Sequence, residues 1–136
     1  LDLEIANADY WFAMSYAEYK LGHLPEAEAA YEKVVEFNPL DVDAWLDYSS
    51  ILYEQSRLEQ AIEIIAEAIK NNPEAAELYY RMVAYLFAKG EYNEALSQLE
   101  LALASDPEKH YILFDYLPQL QKNKVILDII SRYAGK

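Results

Sequence analysis

The chain has 136 residues, and its 24 acidic side chains against 11 basic ones give a net charge of −13. That balance disfavours nucleic acid, whose phosphates need Lys and Arg, and anionic membrane surfaces, while it suits basic or apolar partners and keeps helical surfaces soluble. With no cysteine, neither a disulfide frame nor a thiolate metal site can form, and no apolar run reaches the roughly 18 residues that a membrane span needs.

Residues 1–7, LDLEIAN, read as the end of an earlier helix. The chain opens on Leu1 and shows no secretory leader, so the expectation is a mature or excised piece with further helices upstream. Residues 8–21 form a first helix and 25–37 a second. Pro25 sits at the start of the second, where its missing N–H costs nothing. Ala30, Lys33 and Glu36 are expected to face outward, and Glu28 and Glu32 to repel mildly on a solvated face. Over 42–55, Trp45, Tyr48, Ser49 and Leu52 recur at steps of three and four and share one helical face. Asp41 or Asp43 caps this helix or favours its dipole. Gln55-Ser56-Arg57 breaks the pattern as a short turn. Residues 59–71 carry Ala61, Ile62, Ile65, Ala68 and Ile69 at helical spacing, and Pro73 ends the run while restricting Asn72. Amphipathic helices joined by so short a turn fold back antiparallel.

Helices over 76–89 and 93–104 follow. After Pro107 the segment 108–116 reads as another first helix, stopped by Pro118. A polar connection over 119–124 leads to a last amphipathic helix over 125–133, with a frayed end. The final pair, 110–136, covers the apolar face that the preceding hairpin would otherwise expose.

A shift of 34 residues superimposes 8–41, 42–75 and 76–109 without insertion or deletion. Trp11, Trp45 and Tyr79 align, then Met14, Tyr48 and Met82, then Ser15, Ser49 and Val83. The turn column is Gly22, Ser56 and Gly90. Ala27, Ala61 and Ala95 follow, then Tyr31, Ile65 and Leu99, then Val34, Ala68 and Ala102. The stops are Pro39, Pro73 and Pro107. This period, with an early aromatic, a turn Gly, an Ala in the second helix and a closing Pro, resembles the tetratricopeptide repeat over about three-quarters of the chain. Two positions depart from the family pattern. Glu18 stands where an apolar or Tyr side chain is usual, a rule that Leu52 and Leu86 obey, and Ser56 replaces the turn Gly.

The resemblance implies an all-α fold, a right-handed α-solenoid of antiparallel helix pairs with a concave groove lined by the first helices. It assigns three repeats (8–41, 42–75, 76–109), a cap (110–136) and, in residues 1–7, the tail of a preceding repeat or a linker. The inward columns it implies are Asp9, Asp43 and Glu77; Phe12, Leu46 and Tyr80; Tyr16, Ser50 and Ala84; and Tyr19, Tyr53 and Phe87. The last column forms an aromatic strip suited to apolar side chains of a peptide, and its competing role is packing between helices. The acid column attracts Lys or Arg of a ligand, or serves only the helix dipole. Family members that clamp the C-terminal carboxylate of heat-shock chaperones use Lys, Arg and Asn in the groove. Phe12, Tyr16, Leu46, Ser50 and Tyr80 offer no such basic clamp, so that subclass is not expected.

No catalytic signature occurs. His23 and His110 are far apart, and His23 reads as a solvated turn residue. Asp41-Val42-Asp43 lacks the glycine and distal Glu of a calcium loop. The reading is therefore a non-catalytic scaffold without cofactor or metal, binding an apolar or basic protein segment in the groove. The alternative is a module that self-associates or packs within a longer repeat protein. The absence of cysteine permits any compartment, so the localisation stays open, with a soluble, cytoplasmic setting favoured.

Overall fold

The computed structural model describes the backbone of residues 3–134 and the side chains of residues 10–133. Eight α-helices lie within these residues: α1 (Leu3–Lys20), α2 (Leu24–Phe37), α3 (Val42–Glu54), α4 (Leu58–Asn71), α5 (Ala76–Lys89), α6 (Tyr92–Ser105), α7 (Tyr111–Tyr116) and α8 (Lys124–Ala134). Two 3₁₀ turns, Pro107–His110 and Pro118–Lys122, flank α7. Among the described residues no helix is long and apolar enough to cross a membrane. The helices gather into two compact units, Leu1–Asn72 and Pro73–Lys136.

In the first unit α1 packs on α2, α2 on α3 and α3 on α4. The aligned columns fill its interior. Ala27 and Ala61 are fully buried, as are Ile65 and Ala68, with Tyr31 and Val34 nearly so. Alanine at these points lets two helix backbones approach closely, because no side chain extends beyond Cβ. Ser15 and Ser49 are buried as well, and each hydroxyl is satisfied one turn back. Ser15 Oγ donates to the Phe12 carbonyl at 2.7 Å, and Ser49 Oγ to that of Leu46 at 2.8 Å. A buried hydroxyl without such a bond would cost about 1–3 kcal/mol.

The early aromatic column has a second purpose besides packing. Trp45 Nε1–H donates to the Pro39 carbonyl at 2.8 Å, and Asn72 Nδ2 donates to the same oxygen at 2.9 Å. In the second unit the Tyr79 hydroxyl donates to the Pro73 carbonyl at 2.8 Å. The acceptor in both cases lies six residues upstream, so the aromatic pins the proline-bearing loop that leads into its own helix. Asp41 caps α3 by accepting from the Ala44 N–H at 3.1 Å, which leaves Asp43 exposed in the first turn.

The turn column is left-handed throughout: φ is +80° at Gly22, +62° at Ser56 and +89° at Gly90. Ser56 adopts the conformation that glycine reaches without its Cβ cost, so its departure from the family pattern is a local strain and not a different turn. The other departure, Glu18, is matched by a nearby partner. Its carboxylate lies 2.7 Å from His23 Nδ1, so the exposed histidine of the turn covers a polar side chain.

Four expectations need correction. The break at residue 8 does not exist, because α1 is one 18-residue helix beginning at Leu3. Ala30 faces inward and is 1% exposed, since it sits one turn before Val34 on the buried face of α2. Glu28 is not merely a repelled acid. The Arg57 guanidinium grips it with both terminal nitrogens, Nη1 to Oε2 at 2.6 Å and Nη2 to Oε1 at 3.0 Å, and this hydrogen bonding pushes the arginine's pKa up. The helix expected over 108–116 begins as a 3₁₀ turn opened by Pro107, with Asp106 accepting from the Glu108 N–H.

The second unit is built differently. α5 packs on α6 and α7, and Met82, Val83, Ala84, Tyr85 and Leu86 are all buried. Five consecutive buried residues exceed the stripe of an ordinary surface helix, so α5 is a central helix covered on several sides. Leu113 of α7, Leu120 of the second 3₁₀ turn and Ile126 of α8 close this core.

Candidate functional site

The first helices of unit one border a cleft of about 240 Å³ lined by Tyr16, Tyr19 and Lys20 of α1, Tyr31 of α2, and Asp47, Ser50, Ile51 and Glu54 of α3. Helical spacing places the α3 contribution. Asp47, Ser50 and Glu54 stand at steps of three and four, so they share one face. Tyr16, Tyr19 and Lys20 do the same on α1. Polar bonds tie the walls together. The Tyr19 hydroxyl donates to Glu54 Oε1 at 3.0 Å, and the Tyr31 hydroxyl donates to Asp47 Oδ2 at 3.5 Å.

Both phenols are held in their protonated form. The hydrogen bond to Glu54 raises the Tyr19 pKa first, with burial adding to it. Burial pushes Tyr31 up to about 12, and the negative charge of Asp47 adds to it. The site is therefore a set of neutral phenol rings next to two carboxylates. One cation belongs to the wall itself: Lys20 Nζ lies 5.4 Å from the centre of the Tyr16 ring.

Three sequence-predicted residues, Tyr16, Tyr19 and Ser50, meet in this cleft. Phe12 (42% exposed) and Tyr16 (55% exposed) present open aromatic surface on α1. Asp43 is exposed, and Leu46 and Tyr53 are half-buried on α3. Asp9 lies outside the residues whose side chains are described. Neither Tyr80 nor Ala84 is available to a ligand. They are 0% and 1% exposed, because α5 is the enclosed helix of unit two, and the Tyr80 hydroxyl is used internally, donating to the Asp106 carbonyl at 2.8 Å. Phe87 is half-buried with its ring 5.4 Å from that of Tyr92. Glu77 is bound by Lys109 Nζ at 3.1 Å.

Asp47, Glu54, Lys20 and Tyr31 are cleft residues that the column reading passes over. Their signal lies within α3, where Asp43, Asp47, Ser50 and Glu54 recur at helical steps. It also lies in Tyr31, the one hydroxyl in a column otherwise filled by Ile65 and Leu99. A broader hollow of about 450 Å³ lies elsewhere in unit one, with Trp45 and Tyr48 in its lining and Glu32, Glu36 and Glu67 around them. Among the described residues no group of three His, Asp or Glu is placed to hold a metal ion.

Two family profiles described as tetratricopeptide repeat match the chain, one over residues 12–76 and the other over 52–113. No curated protein is a significant match to the whole sequence. Among solved structures, the yeast Sti1 TPR2B domain in complex with an Hsp70 peptide is similar at 19% identity, covering 96% of this chain and 98% of that one with a TM-score of 0.67. The Arabidopsis OM64 TPR domain is similar at 17% identity, covering 88% and 98%, with a TM-score of 0.70. The first TPR of Spaghetti (RPAP3), bound to the HSP90 peptide SRMEEVD, is similar at 21% identity, covering 96% and 98%, with a TM-score of 0.68. Repeat period, helix pairing, left-handed turns and these matches agree: the chain belongs to the tetratricopeptide repeat family, an all-α class of antiparallel helix pairs.

Proposed function

We propose that the chain is a non-catalytic interaction scaffold whose first unit binds a protein segment across the exposed aromatic and acidic surface of α1 and α3. The observation that carries this reading is the cleft bordered by Tyr16, Tyr19, Asp47 and Glu54, open beside the exposed ring of Phe12. Aromatic side chains give a binding surface area at low conformational cost, and carboxylates beside them select basic over acidic partners. Complexes of the similar Sti1 and Spaghetti domains contain Hsp70 and HSP90 peptides; that likeness supports a peptide-sized partner here. The acidic character of this cleft separates its preference from that of an acidic peptide such as SRMEEVD.

Selection from a random-sequence peptide display library tests the reading. The expected result is enrichment of peptides with apolar and basic residues, and no binding of labelled SRMEEVD. A Phe12→Ala/Tyr16→Ala variant is expected to weaken a selected peptide at least tenfold, or about 1.4 kcal/mol, with unchanged helical circular dichroism. Absence of any enriched peptide, or full binding by the variant, refutes the proposal.

A second reading has its own observation. Tyr10, Phe12, Tyr16 and Leu21 leave α1 and its turn with an exposed apolar surface, which suits self-association or packing within a longer repeat protein. Sedimentation mass that rises with concentration, and falls with the same variant, would favour it.

A further inference from the structure

We propose that the broader hollow of unit one, walled by α2 and α4 over a floor from α3, receives an arginine side chain of a partner protein, its guanidinium seated against Glu32 and the Tyr48 hydroxyl. This site is separate from the cleft of α1 and α3 and does not rest on it.

Charge on the walls sets the occupant. Glu28, Glu32 and Glu36 recur every four residues along α2 and so share one face. Glu28 is gripped by Arg57, and Glu36 has Lys33 Nζ at 3.7 Å. Glu32, between them, has no ion-pair or hydrogen-bond partner among the described residues. On the α4 wall Glu67 pairs with Lys70 at 3.6 Å, both side chains largely exposed, a contact worth little in water. Glu32, Glu36 and Glu67 all line the hollow, and neither lysine does.

Tyr48 is the second, independent observation. It lines the hollow while only 8% exposed, and its hydroxyl has no hydrogen-bond partner among the described residues. The buried phenols of Tyr31 and Tyr80 both donate within the chain. Burial, with the charges of Glu32 and Glu28 adding to it, raises the Tyr48 pKa to about 12, so the phenol stays protonated beside the acids of α2. A buried hydroxyl without a partner is costly, and a donor reaching in from outside satisfies its oxygen.

The chain shows which cation suits this seam. Arg57, just before α4, forks onto Glu28 with both terminal nitrogens, and Tyr48 feels its charge. Glu32 repeats the position of Glu28 one helical turn further along α2. A second guanidinium there has five N–H donors in a planar fork for the carboxylates and the hydroxyl, whereas an ammonium is a point charge. At about 450 Å³ the hollow falls within the roughly 300–1,000 Å³ of ligand sites. It accommodates the side chain with its adjoining backbone, and the arginine methylenes cover Val35 and Trp45 of the lining.

Blocked Gly-Gly-Arg-Gly-Gly and its Lys and citrulline counterparts, titrated while amide and indole nitrogen–proton shifts are followed, test the site. The Arg peptide is expected to shift the Trp45 indole and the amides of residues 32–36 and 64–71 saturably. The Lys peptide should bind several-fold more weakly, and the uncharged citrulline peptide should produce no shift. Glu32→Gln, on an exposed residue and with circular dichroism to verify folding, should weaken the Arg peptide about tenfold, and Tyr48→Phe about threefold. Glu94→Gln removes the same charge in unit two and should leave binding unchanged. Phe12→Ala/Tyr16→Ala should keep the Trp45 shift. Equal shifts from Lys or citrulline, unchanged affinity in Glu32→Gln or Tyr48→Phe, an equal loss in Glu94→Gln, loss in Phe12→Ala/Tyr16→Ala, or no saturable Trp45 shift each overturn the proposal and leave the α1–α3 reading as it stands.

Discussion

The two units carry the same 34-residue pattern and put it to opposite uses. In unit one the second first-helix, α3, lines a cleft with Asp47, Ser50 and Glu54. In unit two the corresponding surface of α5 is closed by the degenerate α7, and Arg81 rests on Tyr116. A repeat needs neighbours to bury its faces. Where the neighbour is a cap, as α7 is for α5, the surface becomes core. The column Phe12, Leu46, Tyr80 therefore runs from exposed through half-buried to fully buried.

The largest effect is expected where the cap closes unit two. Leu113 is fully buried in α7, and Leu113→Ala should cost about 2–5 kcal/mol in denaturant unfolding. Hydrogen exchange should place the loss in residues of α5 to α8 and spare α1 to α4. Alkaline titration probes the buried phenols of both units, since burial raises Tyr80 of unit two as well. Burial pushes Tyr31 and Tyr48 up to about 12, above the ordinary phenol value. Because the folded pKa is raised, the stability they contribute is complete below pH 10 and is lost as pH climbs from about 10 through 12. Thermal melting should fall over that window, and ultraviolet phenolate absorbance should show late-ionising tyrosines that titrate early in denaturant.

Smaller effects distinguish the repeat devices. Tyr80→Phe removes the hydroxyl that donates to the Asp106 carbonyl, which also accepts from the Lys109 N–H, and should cost about 0.5–1.5 kcal/mol. Asp41→Ala removes the α3 cap and should cost about 1 kcal/mol. Ser56→Gly relieves a left-handed residue with φ +62° and should stabilise unit one by about 0.5–1 kcal/mol, measured as a shift in denaturation midpoint. Gly90→Ala, the reverse change in unit two at φ +89°, should destabilise by a similar amount. It has no steric clash to add, since nothing lies within 4 Å of an added Cβ.

The helix pairs were legible because the 34-residue columns coincide with burial: Ala27, Ala61 and Ala95 are all 0% exposed. Turn geometry was legible from Gly22 and Gly90 and extended to Ser56. The site was legible only in part. Columns assign every repeat the same environment, so they placed Tyr80 and Ala84 beside Phe12 and Tyr16. They could not register that α7 covers α5. Nor do they weight a change within a column, such as Asp47 against Arg81 or Tyr31 against Leu99, and those changes carry the cleft. The early end of the chain misled for a different reason: residues 3–7 contain no Pro or Gly, so nothing in them interrupts α1.

The most direct test of the division between an open unit and a closed one is an amide nitrogen–proton chemical-shift map of the chain titrated with a library-selected basic peptide. Shifts concentrated in residues 12–20 and 43–54, with residues 80–87 unmoved, are the expected result. Shifts centred on residues 80–87, or spread over both units without a focus at Tyr16, Asp47 and Glu54, would contradict it.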